Sequence, residues 1–327
     1  MPVTRPSWIC LSAALVLAGC GGDSDRDAAA PPSSQLDGAV VAQVASYELV
    51  VDRDQRFLVG LFSDEEGMVS HGTADLAFSF LGKEGDMLDE PTSGPDATAT
   101  FIPVPGSPES TSSEGAAFTS PSEARGVYGA EGVRFDRAGF WEVTVDIEVD
   151  GSRHAASAAF EVRQESAVPV PGDPAPRTQN LLPGDPDAPP DAVDSRAEDD
   201  GTVPDPELHE ETVAAAIDAG RPVMVVVSTP VYCVSRFCGP ITDTVQDLAR
   251  EYGDRMDFVH LEVFKDFEAN TLNKAAVEWI WPARQGEPAE PWVFLVDASG
   301  TVIERWDNVA SEQDLSAAVQ AVVEGTA

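Results

Sequence analysis

The sequence predicts a chain of two folded regions, the first all-β and the second α/β, and three observations carry this prediction. Apolar and polar residues alternate through 141–149, which is the period of a half-buried strand. Residues 164–204 are dense in Pro, Asp and Gly, which disfavour regular structure. Helical and strand patterns then alternate to the end of the chain. We therefore expect a β domain over 39–163, a linker over 164–204 and an α/β domain over 205–327. Within the linker, APRTQNLL (175–182) is a candidate for packing against the following domain.

The first region is expected to be a β-sandwich. Along 141–149, Trp and Val side chains lie on one face and Glu, Thr and Asp on the other, so one face is buried. Asp150-Gly151 suits a tight hairpin turn, because both residues tolerate positive φ. No helical periodicity is found, and 104–125 are expected to form a loop. The predicted architecture is immunoglobulin-like, which implies no function by itself. Further strands are expected at 41–51, 55–63, 75–81 and 97–103.

The second region opens with a helix that Asp205 caps and Gly220 ends. The next run, RPVMVVVS, is apolar and rich in β-branched residues, which is typical of a central strand buried on both faces. A last helix is expected from Ser311, which has an acidic residue three positions on. The order α-β-α-β-α-β-β-α predicts an α/β domain. Between the central strand and the last helix we expect a helix at 240–253, a strand at 257–264, a helix at 267–281 and a hairpin at 292–306.

The N-terminal residues have the pattern of a targeting segment, with Arg5 followed by an apolar run. The run ends in Leu17-Ala18-Gly19-Cys20, which resembles the lipobox of bacterial lipoproteins, where the cysteine becomes the lipidated first residue. This resemblance implies a signal peptide over 1–19, lipidation of Cys20 and a flexible tether over 20–38. The protein is then extracytoplasmic and anchored to a membrane through Cys20. The alternative is an ordinary secretory signal with a chance cysteine.

The charge balance excludes two classes of partner. The chain has 57 acidic residues against 20 basic ones, for a formal net charge of -37. Such a surface repels nucleic acid and anionic lipid headgroups, so neither is expected as a direct partner. The sequence has no glycine-rich phosphate loop and no assembled hydrolase motif, and no cofactor is expected.

Thiol chemistry is confined to one stretch, STPVYCVSRFCGPITD. Cys10 leaves with the signal peptide and Cys20 carries the lipid, so Cys233 and Cys238 are the cysteines left for such chemistry. Outside the cytoplasm a pair of this kind is normally oxidised. Cys238 stands at the start of a predicted helix, where unpaired backbone N–H groups favour a thiolate.

Residues 205–325 resemble the thioredoxin fold, in particular its membrane-tethered extracytoplasmic branch, which includes cytochrome-maturation and copper-delivery proteins. Phe237-Cys238-Gly239-Pro240 look like the aromatic residue, cysteine, glycine and proline that begin the family's active-site helix. Pro291 resembles the cis-proline that packs beside that site. The resemblance implies that Cys238 is the attacking thiol in thiol–disulfide exchange with a protein partner.

The sequence departs from that family at two positions. Ile241 stands where the usual resolving cysteine would be, and the buried acid of the family's first strand has no counterpart in residues 223–228. Cys233 is the residue that can replace the missing thiol, because four intervening residues let the loop fold back on Cys238. We therefore expect Cys238 to attack a partner and Cys233 to resolve the mixed disulfide.

Two alternatives stay open at this point. The pair can be a structural disulfide in a redox-inactive thioredoxin-fold binding module. It can also bind Cu(I) together with His260, as in copper-delivery proteins of Sco type, although that family's cysteines have three intervening residues and these have four. Aromatic side chains are candidates for an apolar rim around the loop and are equally suited to the core: Tyr232, Phe237, Trp281 and Trp292.

Overall fold

The computed structural model describes residues 40–107, 115–120, 125–186, 188–198, 200–281 and 288–325. The predicted signal peptide, Cys20 and the tether therefore lie outside the described residues. The described residues all belong to one unit, 33–327. In these ranges no helix combines the length and the apolar character needed to cross a membrane.

Residues 40–163 form strands and, where they are described, contain no helix, as the alternating pattern predicts. Asp150-Gly151 makes the expected two-residue hairpin turn, with φ angles of 49° and 77°. The strands pair antiparallel in the order β6-β3-β2-β7-β5-β4-β8-β9, with β1 on β2. Their bounds are β1 (Val41–Val44), β2 (Gln55–Ser63), β3 (Gly67–Ser70), β4 (Thr73–Lys83), β5 (Asp86–Pro103), β6 (Ala117–Thr119), β7 (Gly126–Val133), β8 (Gly139–Val149) and β9 (Ser152–Val162).

Hydrogen bonds join the nine strands into one continuous sheet, whereas the sequence predicted a sandwich. Strand β5 is the reason, because it pairs with β4 up to Thr100 and with β7 from Thr100 to Pro103. The sequence analysis found only the end of β5, since residues 86–93 are exposed and lack an apolar alternation. The core of this region contains the aromatic residues Phe57, Phe78, Phe135, Trp141 and Phe160.

The segment 164–204 is packed against the second region, both in the stretch 175–182, where packing was expected, and around Asp194, where it was not. Trp279 donates a hydrogen bond from Nε1 to Thr178 Oγ1 at 2.9 Å. The backbone N–H of Val213 donates to Asn180 Oδ1 at 2.9 Å. A short helix, α1 (Pro190–Val193), buries Val193 in the same segment. Proline and aspartate content predicts irregular backbone, but it does not predict whether that backbone is docked.

The second region is a four-stranded sheet with helices on both faces. The strand order is β11-β10-β14-β15, with β10 and β11 parallel and β14 antiparallel to its neighbours β10 and β15. Its strands are β10 (Val223–Ser228), β11 (Asp257–Glu262), β14 (Trp292–Val296) and β15 (Val302–Asp307), with a small hairpin of β12 (Phe264–Asp266) and β13 (Thr271–Leu272). Its helices are α2 (Val213–Asp218), α3 (Cys238–Tyr252), α4 (Lys274–Ile280) and α5 (Glu312–Val323). Ser311 caps α5 as expected, accepting from the backbone N–H of Asp314 at 3.1 Å.

Two predicted helices are wrong in extent. The helix expected from Asp205 to Gly220 is a 3₁₀ turn over Pro206–Leu208 followed by α2, which Thr212 caps. Asp205 makes no side-chain capping bond, because its carboxylate contacts Arg196 instead. The helix expected at 267–281 is shortened to α4, since the preceding residues form β13.

The two regions meet at the segment after β1. The backbone N–H of Tyr47 donates to Asp307 Oδ2, and its hydroxyl donates to the Glu290 carbonyl, both at 2.6 Å. Arg305 Nη1 donates to Glu48 Oε2 at 3.0 Å. The β region therefore lies directly beside the loop before β14. Apolar side chains from both regions join in one cluster: Leu58, Val104, Val127 and Val309.

Replacing Tyr47 by Phe tests this contact. Tyr47→Phe leaves the Glu290 carbonyl without its donor, so we expect a loss of about 1 kcal/mol and a melting temperature about 2–4 °C lower. Tyr232→Phe is the matched control, because the Tyr232 hydroxyl has no hydrogen bond to a described residue. Thermal unfolding of both variants measures the effect. Equal melting temperatures for Tyr47→Phe and the wild type would contradict this role of Tyr47.

Candidate functional site

The loop between β10 and α3 closes on itself through the Cys233–Cys238 disulfide. The two Cα atoms are 6.1 Å apart, within the range that a disulfide spans. The chain reverses at Arg236, whose φ of 63° lies in the left-handed region. Ser235 Oγ lies 3.2 Å from Cys233 Sγ and accepts from the backbone N–H of Phe237 at 3.4 Å. The predicted partnership of the two cysteines is thus present in the folded chain.

Cys238 is the first residue of α3, as predicted, with Gly239 and Pro240 in the first helical turn. Its side chain is completely buried, at 0% exposure. Cys233 is partly exposed as a residue. The burial of Cys238 conflicts with the expectation that this sulfur makes the first contact with a partner, and Cys233 is the less buried residue of the pair.

Pro291 follows a cis peptide bond, as the resemblance implied, and the residue before it is Glu290. One carboxylate oxygen of Glu290 and the sulfurs of Cys233 and Cys238 all lie within 4.8 Å of one another. Burial, with a smaller contribution from the negative charge of Glu262, raises the pKa of Glu290 from 4.5 to about 7. An acid that exchanges a proton near neutral pH thus stands beside both sulfurs.

Glu290 is the functional residue that the sequence analysis missed. The family resemblance implies a buried acid on the first strand, and residues 223–228 contain none. Here a carboxyl comes instead from the loop before β14. The available signal was an acidic residue directly before Pro291, in the motif AEPW, although its distance from the cysteines could not be read from spacing.

Apolar side chains surround the exposed part of the loop. Tyr232 stacks on Phe267 with ring centroids 3.9 Å apart. Val231, Val234 and Phe267 are exposed at 54%, 95% and 45%. Trp292, in contrast, is a core residue at 3% exposure. The predicted rim therefore exists at Tyr232, but its other members are mainly residues that the sequence analysis did not select.

A cleft of about 790 Å³ reaches Glu290 from the side of β13 and α4. Phe264, Leu272 and Trp281 line it, and no residue of the cysteine loop does, so Trp281 belongs to this cleft and is not shown at the rim of the loop. Phe237 lies elsewhere, packed partly buried against both the α3 face and the contact between the two regions. The disulfide thus has a packed side toward Phe237 and a cleft beside Glu290.

His260 is not grouped with the cysteines. Its ligand atom belongs instead to a buried cluster with Asp194, Asp205 and His209. His260 Nε2 lies 3.0 Å from Ser228 Oγ, and His260 Nδ1 lies 3.2 Å from Asp194 Oδ2. The Cu(I) alternative required an imidazole beside the two thiols. In the part of the chain that the structure describes, the third metal-ligating group at the sulfurs is the carboxyl of Glu290.

No protein-family model, no curated protein and no solved structure matches this chain. Its function therefore has to be inferred from the chemistry of its own residues, foremost the disulfide and the carboxyl of Glu290.

Proposed function

We propose that this chain is a thioredoxin-like protein that exchanges disulfides with a protein partner outside the cytoplasm, anchored to a membrane through Cys20. The observation that carries the proposal is the Glu290 carboxyl within 4.8 Å of both sulfurs of the Cys233–Cys238 disulfide. A group with a pKa of about 7 can supply or accept the proton that thiol exchange requires. A disulfide that serves only as a cross-link has no use for such a group.

The topology supports the thioredoxin-like interpretation of the second region. A β-α-β unit of β10, α3 and β11 is followed by α4, the β14–β15 hairpin and α5. This is the element order on which the resemblance rests. The disulfide lies at the junction of β10 and α3, and Pro291 precedes β14. The first region is interpreted as an immunoglobulin-like β domain that supports this site through Tyr47.

The exchange is proposed to begin at Cys233. A thiolate of the partner attacks Cys233 Sγ, a mixed disulfide forms, and the Cys233–Cys238 bond breaks. Cys238 leaves with the electron pair as a thiolate, which the N-terminus of α3 stabilises. Glu290 gives its proton to this thiolate. A second partner thiolate then attacks the partner sulfur of the mixed disulfide and releases Cys233, so the partner is oxidised and this chain is reduced.

This sequence of steps exchanges the roles expected from the family resemblance. Cys238 has no exposed surface, so it cannot be the first sulfur that a partner reaches. When the reduced chain reacts with an oxidised partner, Cys233 attacks the partner disulfide and Cys238 resolves the mixed disulfide. The exposed apolar residues Val231, Val234 and Phe267 offer a contact surface for the partner next to Cys233.

A second candidate function is a binding module with a structural disulfide. The complete burial of Cys238 and the contact of Tyr47 with the Glu290 carbonyl favour it, because both restrict access to the site. The loop is short, however, and closing it contributes only about 2 kcal/mol by chain entropy. The reduction potential distinguishes the two functions, since structural disulfides lie below about -300 mV.

Redox titration and thiol variants test the exchange function. We expect a reduction potential between about -270 and -120 mV and loss of insulin reduction in both Cys233→Ser and Cys238→Ser. Cys238→Ser should accumulate a mixed disulfide on Cys233, because the resolving thiol is gone. Cys20→Ser, which removes the lipidated cysteine and leaves the pair, is the control and should retain turnover. A potential below about -300 mV, or unchanged turnover in both pair variants, would reject the proposal.

The Glu290 carboxyl should make stability depend on pH. Its folded pKa of about 7 exceeds the ordinary 4.5, so the fold favours the neutral form. Its contribution is then full below pH 4.5 and is lost as pH rises through 7. We expect the free energy of unfolding of the wild type to fall by about 2 kcal/mol between pH 5 and 8 relative to Glu290→Gln.

Chemical denaturation at each pH measures this difference. Glu268→Gln removes an exposed glutamate and controls for the loss of one negative charge. Glu290→Gln should also slow disulfide exchange at neutral pH, because the leaving thiolate loses its proton donor. If the free energy of unfolding and the exchange rate depend on pH in the same way in the wild type and in Glu290→Gln, Glu290 does not carry the proton.

A further inference from the structure

Two histidines and two aspartates converge in the interior of the second region, away from any role in thiol exchange. Asp194 follows α1, Asp205 and His209 flank the 3₁₀ turn, and His260 lies on β11. One ligand atom from each lies within 4.8 Å of the other three. The four residues are 0%, 0%, 4% and 1% exposed, so water cannot readily satisfy their polar atoms.

The polar atoms that face one another in this cluster lack hydrogen-bond partners. His209 Nδ1 and Nε2, His260 Nδ1 and Asp205 Oδ1 are all buried without one. Their separations are nevertheless short. His209 Nε2 lies 3.2 Å from Asp205 Oδ1 and 3.7 Å from Asp194 Oδ2, and His260 Nδ1 lies 3.2 Å from Asp194 Oδ2. The atoms approach closely, but their directions do not suit hydrogen bonds.

Two of these three separations, at 3.2 Å, match the edges of a metal coordination polyhedron, and the third, at 3.7 Å, is longer. Ligand atoms in a tetrahedron with bonds of about 2.0–2.1 Å lie about 3.3 Å apart. Imidazole nitrogens and carboxylate oxygens are both zinc ligands at such bond lengths. A cation at the centre would give His209 Nε2, His260 Nδ1 and Asp205 Oδ1 the interaction that they lack, and His209 Nδ1 would stay outside the ligand set.

The outer contacts of the cluster orient its ligand atoms. His260 Nε2 lies 3.0 Å from Ser228 Oγ and 3.2 Å from the Ser228 carbonyl. This contact directs His260 Nδ1 into the cluster. Arg196 donates from Nη2 to Asp194 Oδ2 at 2.8 Å and to Asp205 Oδ2, which leaves Asp205 Oδ1 free to face His209. Hydrogen bonds of this kind to histidine and carboxylate ligands are the usual second layer of protein metal sites.

We propose that Asp194, Asp205, His209 and His260 bind one zinc ion in a closed, structural site. Four protein ligands fill a tetrahedral coordination sphere, so no position is left for a substrate. The two carboxylates neutralise the dication, and Arg196 retains its charge outside the ligand shell. The site fastens the segment around Asp194, which the sequence predicts as a linker, to strand β11.

The zinc site would also support the thiol loop. Ser228 Oγ lies 2.7 Å from Thr242 Oγ1, which donates to the Cys238 carbonyl at 2.8 Å. A chain of hydrogen-bonding groups thus runs from His260 to the first residue of α3. Zinc binding does not depend on thiol exchange, because neither cysteine is a ligand.

Metal analysis of the purified full chain tests the proposal. After removal of bound metal with a chelator and reloading with zinc, we expect one zinc per chain. His209→Ala should weaken zinc binding by at least about 100-fold. His154→Ala, which removes a histidine from β9, is the matched control and should leave binding unchanged. The double variant Cys233→Ser/Cys238→Ser should also keep its zinc, which separates this site from the proposed thiol function.

Cobalt substitution provides a readout that does not need a folded variant. Co²⁺ in the wild-type chain should show the intense visible absorption of a tetrahedral site, and zinc should abolish it by competition. If His209→Ala does not fold, Asp205→Asn preserves the side-chain volume and should show the same loss of affinity. Substoichiometric zinc in the wild type, or equal zinc in His209→Ala, would overturn the proposal. The cluster would then be held by direct contacts between its own histidines and aspartates.

Discussion

Burial of strand β10 on both faces is the constraint on which the second region and its sites depend. All of its residues, Val223–Ser228, have 0% exposure. Such a strand requires a partner on each edge, and it pairs with β11 on one side and β14 on the other. The thiol loop leaves its carboxyl end, and β14 begins there after Glu290. The disulfide and the Glu290 carboxyl lie side by side because the ends of β10 and β11 and the start of β14 lie at the same edge of the sheet.

The buried acids of the second region have two kinds of electrostatic environment. The difference matters because the chain has a net charge of -37. Asp194 and Asp205 contact Arg196, so their charge is compensated and they are fixed as acceptors or ligands. Glu290 is held instead by burial near the negative charge of Glu262, which raises its pKa to about 7. The same functional group is thus held as a compensated anion at one place and favoured in its neutral form at another.

Features that depend on neighbouring residues could be predicted from the sequence. The strand over 55–63, the turn at Asp150-Gly151 and the cap at Ser311 have the expected bounds or contacts, since strand alternation, positive φ and capping are local properties. The helix expected from Asp205 was wrong because the carboxylate suited to capping is used in an ion pair with Arg196. Packing was expected for 175–182 but not for the segment around Asp194, since composition carries no information on long-range contacts.

The sequence by itself indicated that Cys233 and Cys238 pair with each other and that Cys238 begins a helix. Tertiary structure decided that Cys238 is buried, that the Glu290 carboxyl lies beside both sulfurs and that His260 lies in a separate cluster. Burial of Cys238, the raised pKa of Glu290 and the cluster around His260 all arise from residues far apart in the chain. Exposure, dielectric environment and ligand distances are properties of the packed interior, and they take their values only when the distant segments are brought together.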